Sequence, residues 1–130
     1  MSREILQPPG WTRPRGYANG VAATGRLVFV AGQIGWDSEQ RFASDGFAAQ
    51  VRQALANVVA VLACAGAKPE HLVRMTWYVT SRDEYNAALA EVGAAWRELI
   101  GRNFPAMSVV VVAGLLEPRA KVEIEATAVV

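Results

Sequence analysis

Residues 103–130 read NFPAMSVVVVAGLLEPRAKVEIEATAVV, and this stretch predicts two β-strands joined by a short turn. The first strand, Met107–Leu116, contains an apolar run, Val109–Ala113. Such an unbroken run is typical of a strand that is buried on both faces. Glu117-Pro118-Arg119 forms the predicted turn, and the second strand runs over Lys121–Val130.

The second strand alternates apolar and polar residues. Its apolar side chains share one face, and Glu123, Glu125 and Thr127 share the other, because successive side chains of a strand point to opposite faces. We therefore expect one face to pack on a core and the other to present two carboxylates. These carboxylates, beside a strand covered on both faces, are the first candidates for chemistry.

The composition indicates a single globular domain, residues 1–130, with an apolar bias. Hydrophobic residues make up 52% of the chain and charged residues 19%, which is ordinary for globular proteins. The net charge of +1, without a run of either sign, argues against a nucleic-acid or membrane partner. The lone Cys64, expected to be a buried small residue and not a nucleophile, excludes a disulfide framework. With no stretch resembling a signal peptide or a membrane span, we expect a cytoplasmic protein.

The first forty residues predict an edge strand near Ile5, an ordered loop and a hairpin. The loop contains Trp11, a residue that is costly to leave in water. Tyr17–Ala23 and Leu27–Ala31 are short apolar stretches separated by a turn-forming segment, and they predict two paired antiparallel strands. Two glycines follow within GQIG, residues 32–35, and they indicate a close approach that a side chain would block.

The period of the apolar residues changes to three and four positions after residue 46, which predicts a helix. This helix runs over Phe47–Ala65. We expect Asp45 to be its N-cap and Gly66 to be its C-cap. It should have about five turns and one apolar face.

A strand at Leu72–Thr80 and a second helix follow, and the helix ends at Gly101. Ser81 and Glu84 form a capping box at its start. The complete order is β-β-β-α-β-α-β-β, an α+β fold in which two helices cover one face of a mixed sheet. Because two helices cannot cover the other face, we expect copies of the chain to bury it in a cyclic homo-oligomer.

Several short motifs, spread in order from Gln7 to Val129, resemble those of the Rid family, also called the YjgF family. They are Gly16-Tyr17-Ala18-Asn19-Gly20, Phe29-Val30-Ala31-Gly32-Gln33-Ile34-Gly35, Gln53-Ala54-Leu55-Ala56-Asn57-Val58, Ala63 to Gly66, Phe104-Pro105-Ala106 and Val122-Glu123-Ile124-Glu125-Ala126. From their order and spacing the chain is identified as a member of this family. The resemblance implies a chorismate-mutase-like protomer in a homotrimer, whose sheets form a central barrel with ligand clefts between subunits.

The resemblance also implies an activity, the hydrolysis of enamines and imines such as 2-aminoacrylate to a 2-keto acid and ammonia. It implies a small-molecule ligand, and it implies neither a cofactor nor a metal. Glu123 matches the glutamate that is thought to hold the attacking water. Tyr17 matches the tyrosine that lines the cleft, and Gly32 lies in the backbone segment that contacts the substrate.

Met107 departs from the family pattern. In active imine deaminases the Phe-Pro-Ala motif is followed by an arginine that binds the substrate carboxylate through two hydrogen bonds. Methionine offers no charge to pair with a carboxylate, so it predicts a less polar ligand. Arg15, Arg102 and Arg119 lie near cleft-forming segments in the sequence, and each is a candidate to replace the missing arginine.

Three functions remain open from the sequence: a cofactor-free enamine or imine deaminase, a trimer that only binds a small metabolite, and a ribonuclease. The charge near zero and the single histidine disfavour the ribonuclease. The candidate residues also have structural interpretations. Glu123 and Glu125 fit solvated charges on a strand, Tyr17 fits a cap on a strand edge, and Met107 fits the core.

Overall fold

The computed structural model describes residues 2–130 of the chain. The strands are β1 (Ser2–Leu6), β2 (Gly20–Thr24), β3 (Leu27–Ile34), β4 (Leu72–Val79), β5 (Ala106–Val111) and β6 (Val122–Val129). The helices are α1 (Phe47–Cys64), α2 (Arg82–Ala87) and α3 (Leu89–Leu99), with a short 3₁₀ turn at Pro69–His71 before β4. The order matches the predicted one, except that the second helix is divided in two.

A mixed sheet of four strands, in the spatial order β3-β6-β4-β5, is the centre of the fold. β6 pairs antiparallel with both β3 and β4, whereas β4 and β5 run parallel. β1 and β2 form a separate antiparallel pair. Helices α1 and α3 pack together, and α1 packs on β3 and β6. The predicted α+β architecture, with helices on one face of a mixed sheet, is confirmed.

The core lies between the helices and the four-stranded sheet. Residues of α1 at three- and four-residue steps are buried, as are alternate residues of β4 and β6. They join one buried apolar cluster that includes the indoles of Trp77 and Trp96, and its removal from water is the main stabilising contribution. Among residues 2–130, α1 is the one helix with the length and hydropathy of a membrane span. Its apolar face packs in this core.

The ends of α1 differ slightly from the prediction. Gly46 is the N-cap, and no side chain caps the helix. Asp45, the predicted cap, instead accepts hydrogen bonds from the guanidinium of Arg119 at 2.8 and 3.0 Å. Gly66 follows the helix with a φ of 69°, the left-handed conformation that glycine favours just after a helix, as predicted.

The prediction of one continuous helix after Ser81 is wrong. Its start is confirmed, because Ser81 Oγ accepts a hydrogen bond from the Glu84 N–H at 3.1 Å. The helix is broken at Ala88 into α2 and α3. The break leaves Leu89 exposed, although a continuous helix would place it on the apolar face. The apolar period is the same on both sides of the break, so the pattern could not reveal it.

The two C-terminal strands are not neighbours, because β4 lies between them. The first ends at Val111, where the prediction extended it to Leu116. The Val112 N–H still donates to the Val79 carbonyl at 2.9 Å, but the chain then leaves the sheet, and Leu116 is fully exposed. The apolar run therefore continues into a loop, and the turn at residues 117–119 joins two separated strands.

The predicted hairpin near the N-terminus is also wrong. β2 pairs with β1, and β3 pairs with β6, so β2 and β3 belong to different sheets. Arg26 and Val130 exchange two backbone hydrogen bonds, of 2.7 and 2.8 Å. These bonds dock the start of β3 on the last strand of the chain. Pairing of distant segments therefore replaces the local hairpin that short spacing favours.

Three burial predictions fail for the single chain. Val110 and Val111 are 42% and 52% exposed, so β5 is not covered on both faces by its own protomer. Trp11 is 63% exposed. Cys64 is exposed, because it lies at the solvent side of the last turn of α1. The helices thus cover one face of the sheet only, and the other face remains open to solvent.

Candidate functional site

The open face of the sheet carries the carboxylates predicted from the alternation in β6. Val122, Ile124 and Ala126 are buried against the core. Glu123 and Glu125 therefore point away from the helices. In the sheet register Glu123 lies opposite Tyr78 of β4, and Glu125 lies opposite Thr76.

Gly32 and Glu123 lie in direct contact on this open face. The pairing of β3 with β6 is interrupted between Val30 and Gln33 by a bulge, which brings the backbone of Gly32 under the Glu123 side chain. A Cβ atom at residue 32 would lie 2.1 Å from Glu123 Oε2, far inside van der Waals contact. Glycine is therefore required for the carboxylate to occupy this position, and the structure brings together two of the predicted site residues.

The second carboxylate of β6 already has a partner. Tyr78 donates a hydrogen bond to Glu125 Oε1 at 2.6 Å. This bond, together with desolvation and the nearby negative charges, raises the pKa of Tyr78 above the ordinary tyrosine value. Within residues 2–130, Glu123 forms neither a side-chain hydrogen bond nor a salt bridge. Glu123 is thus the carboxylate of this face that is open to a water or a ligand.

The Tyr78–Glu125 contact predicts a pH dependence. Because the folded state raises the pKa of Tyr78, the stabilisation is fully present below the ordinary tyrosine pKa and is lost as pH rises through the raised one. Burial also raises the pKa of Tyr85, so titration of phenolate absorbance should show two late tyrosines, and one of them should disappear in Tyr78→Phe. In Glu125→Gln the pKa of Tyr78 should fall, and an unchanged pKa would contradict the assigned cause.

Tyr17 lies in a different region, beside the segment Phe104-Pro105-Ala106. The Ala18 N–H donates to the Pro105 carbonyl at 3.0 Å, and Ala18 forms a parallel bridge with Ala106. Tyr17 lines a cavity of about 600 Å³ between β1, the following loop and residues 102–104. We refer to it as the Tyr17 cavity.

Met107 faces the helices. It lies beside the buried Met75 in the register of β4 and β5 and packs against the core cluster. It lines a second cavity, of about 490 Å³, together with Trp77 and Trp96; we refer to this as the Met107 cavity. Met107 and Glu123 therefore lie on opposite faces of the sheet in one protomer.

The four predicted site residues thus form two groups in one chain. Glu123 and Gly32 make the first group on the open face, and Tyr17 and Met107 make the second beside the edge strand β5. The two cavities of the second group share three lining residues, Gly16, Arg102 and Phe104. They are therefore adjacent to each other and separate from Glu123.

Of the candidate replacements for the missing arginine, Arg102 is the one that lines both cavities. Arg119 is held by Asp45 and lies 5.1 Å over the ring of Phe42. Arg15 is not among the lining residues. Sequence reasoning missed Arg3 and Arg13, which also line the Tyr17 cavity, because their position depends on the pairing of β1 with β2. The strand alternation could have identified Tyr78.

No group of three histidine, cysteine, aspartate or glutamate side chains within residues 2–130 is arranged to hold a metal ion. The groups that the structure places together at Glu123 are its carboxylate and the backbone of Gly32. A carboxylate that has no protein partner can orient a water molecule and accept its proton.

Comparison with known proteins places the chain in one sequence family. The model of a family described as endoribonuclease L-PSP matches residues 12–130. The chain is 36% identical over 113 residues to the 2-iminobutanoate/2-iminopropanoate deaminase of Salmonella typhimurium, covering 87% of this chain and 86% of that protein. It is 31% identical over 105 residues to the human protein of the same name, covering 80% of this chain and 73% of that protein.

Solved structures agree with the fold. The Yersinia pestis protein YyfB, described as a member of the conserved Rid family with unknown function, superposes with a TM-score of 0.88 at 32% identity and 100% coverage of both chains. The Escherichia coli yjgF gene product superposes with a TM-score of 0.68 at 34% identity, over 87% of each chain.

Proposed function

Because this chain belongs to the endoribonuclease L-PSP family, which includes the Rid and YjgF proteins, we propose that it hydrolyses enamines or imines to a carbonyl compound and ammonia without a cofactor. The observation that carries this proposal is the Glu123 carboxylate, which lies against the backbone of Gly32 and has no hydrogen-bond or salt-bridge partner among residues 2–130. The similarity to two proteins named as imine deaminases supports the same chemistry.

The proposed reaction uses one carboxylate twice. Glu123 holds a water molecule, accepts its proton as the oxygen attacks the C=N carbon, and passes that proton to the nitrogen, which gives a neutral tetrahedral carbinolamine. Glu123 then takes the hydroxyl proton of the carbinolamine and delivers it to the nitrogen, so that the C–N bond breaks, the C=O bond forms and ammonia leaves. One water enters and one ammonia leaves, so the step needs neither an oxidant nor a metal. The close contact with Gly32 fixes the direction in which Glu123 points.

We further propose that the two residue groups meet between subunits of a cytoplasmic homotrimer. β5 is an edge strand with exposed valines, and an uncovered apolar edge favours association with a second chain. Tyr17 and Met107 lie beside this edge, whereas Glu123 and Gly32 lie on the open face. A head-to-tail contact between protomers would place one group opposite the other.

The proposal is tested by generating imines in place with an amino-acid oxidase and measuring ammonia and keto-acid release with and without the protein. Polar and apolar amino acids should both be supplied. Acceleration supports the deaminase, and light scattering of the same sample should give the mass of a trimer. If none of the imines is consumed faster, the hydrolase is rejected.

A binding function without chemistry remains the second candidate, and the Met107 cavity favours it. Its lining is mostly apolar and aromatic, as is common in sites for small metabolites. In that case a ligand should raise the melting temperature in a saturable manner and be recovered unchanged. Consumption of the ligand distinguishes the enzyme from the binding protein.

Gly32→Ala tests the contact between Gly32 and Glu123. The added methyl group would overlap the Glu123 carboxylate, whose flexible side chain can move away without disturbing the backbone. We expect imine hydrolysis to fall roughly 10²-fold, since small displacements of catalytic groups have effects of this size. Gly114→Ala is the matched control, because a Cβ there meets no atom within 4 Å. Equal activity of the two variants would contradict the proposed role of Glu123.

A further inference from the structure

The Tyr17 cavity and the Met107 cavity are adjacent, and one extended ligand can occupy both. They are adjacent because Gly16, Arg102 and Phe104 line both. The lining of the first includes three arginines, and the lining of the second is mostly apolar and aromatic, with Arg97 and Arg102 as its charged residues. A molecule that extends from one into the other must therefore have a charged end and an apolar end.

The Met107 cavity fits an apolar or aromatic group. Phe104 stacks on Trp96, with ring centroids 6.3 Å apart and an interplanar angle of 8°, and the Met107 thioether adds a polarisable contact.

The Tyr17 cavity fits an anion. Its described lining residues include Arg3, Arg13 and Arg102, and none of them is acidic. Arg3 donates to the backbone carbonyls of Glu70 and Phe104. Within residues 2–130, Arg13 and Arg102 take part in none of the salt bridges. Their charges are thus available to a carboxylate, which guanidinium groups bind with two parallel hydrogen bonds.

We propose that the ligand is a carboxylic acid with an aryl or long alkyl side chain, whose carboxylate binds Arg102, assisted by Arg13, and whose side chain fills the Met107 cavity. This inference rests on the proposed imine hydrolysis and names its substrate class, 2-imino acids with large apolar side chains. Arg102 then supplies the charge that residue 107 lacks. Methionine at 107 leaves room for the apolar group that an arginine there would exclude.

The test uses phenylpyruvate and pyruvate as stable probes, because each keeps the carboxylate and replaces the imine nitrogen by oxygen. Isothermal titration calorimetry of the intact protein should give a Kd for phenylpyruvate about tenfold or more below that for pyruvate, from burial of the ring. Arg102→Gln should weaken phenylpyruvate binding roughly 10- to 100-fold, the effect of losing a charged hydrogen bond. Arg15→Gln, which lies outside both cavities, should bind as the parent does.

The outcomes separate this inference from the proposed function. Equal binding of the two acids, no binding of either, or full phenylpyruvate binding in Arg102→Gln overturns the substrate class, even if small imines are hydrolysed. Selective, Arg102-dependent binding of phenylpyruvate supports the ligand class. If the parent protein then fails to hydrolyse the phenylalanine-derived imine, the proposed hydrolysis is rejected and the proposed ligand class is retained.

Discussion

Glu123→Gln is expected to lower the rate of imine hydrolysis by roughly 10²- to 10⁴-fold, the usual contribution of a general base. Glutamine keeps the shape of the side chain and its contact with Gly32, but it cannot accept a proton from water. Glu123 lies on the open face of the sheet and outside the core cluster, so the melting temperature and the oligomeric mass should not change. The measurement is kcat/KM in the coupled oxidase assay.

Glu125→Gln is the matched control for this variant. It removes the other carboxylate of the same strand face, and that carboxylate is bonded to Tyr78 at 2.6 Å. Its activity should stay close to that of the parent protein. If Glu125→Gln loses activity while Glu123→Gln keeps it, the catalytic assignment within β6 must be exchanged.

Gly35→Ala is expected to destabilise the fold by roughly 3 kcal/mol or more, as overpacking in a core combined with broken hydrogen bonds does. A Cβ at residue 35 would lie 2.5 Å from Gln50 Cβ and 2.7 Å from Gln50 Cα. Because these atoms belong to the first turn of α1, a rotamer change cannot relieve the overlap. The helix start itself must move.

Gln50 makes this displacement costly because it connects three segments. Its side-chain amide donates to the carbonyls of Ser44 and Arg119, and its carbonyl accepts from the Lys121 N–H at 2.8 Å. It is also the one buried polar residue in the described core, at 1% exposure. Moving it would leave buried groups without partners at the turn before β6.

Urea denaturation should reveal the loss as a lower midpoint with an unchanged slope. Gly32→Ala provides the comparison, since the three atoms nearest to a Cβ at residue 32 all belong to the flexible side chain of Glu123. The two substitutions, three residues apart, should thus differ: Gly32→Ala should lower activity, and Gly35→Ala should lower stability. Parent-like stability of Gly35→Ala would show that α1 can shift at little cost.

The helices and strands of this fold were predicted from the sequence more accurately than the pairing of the strands. The alternation in β4 and β6 and the helical period in α1 are local signals that burial reinforces, and they are confirmed. Both predicted strand pairs are wrong, because short spacing favours hairpins whereas the sheet places β6 between β3 and β4. That choice depends on contacts between segments that are far apart in the sequence, such as Arg26 with Val130.

Part of the candidate site was also predictable from local sequence signals, whereas the part that depends on long-range contacts was not. The contact of Gly32 with Glu123 agrees with the glycine pattern and with the family resemblance, since the two residues lie on neighbouring paired strands, β3 and β6. The arginines around Tyr17 come from β1, the loop after it and the segment that follows α3. Their sequence spacing of about ninety residues carries no periodic signal, so only the packed chain brings them together.

The central position of β6 has a consequence for how the protein is made. β6 is the last strand of the sequence, and it pairs with β3 and β4 on either side. Until residue 129 has left the ribosome, a nascent chain holds two strands whose partner does not yet exist. Such exposed edges are sites of aggregation, so the four-stranded sheet is expected to form only after residue 129 has left the ribosome.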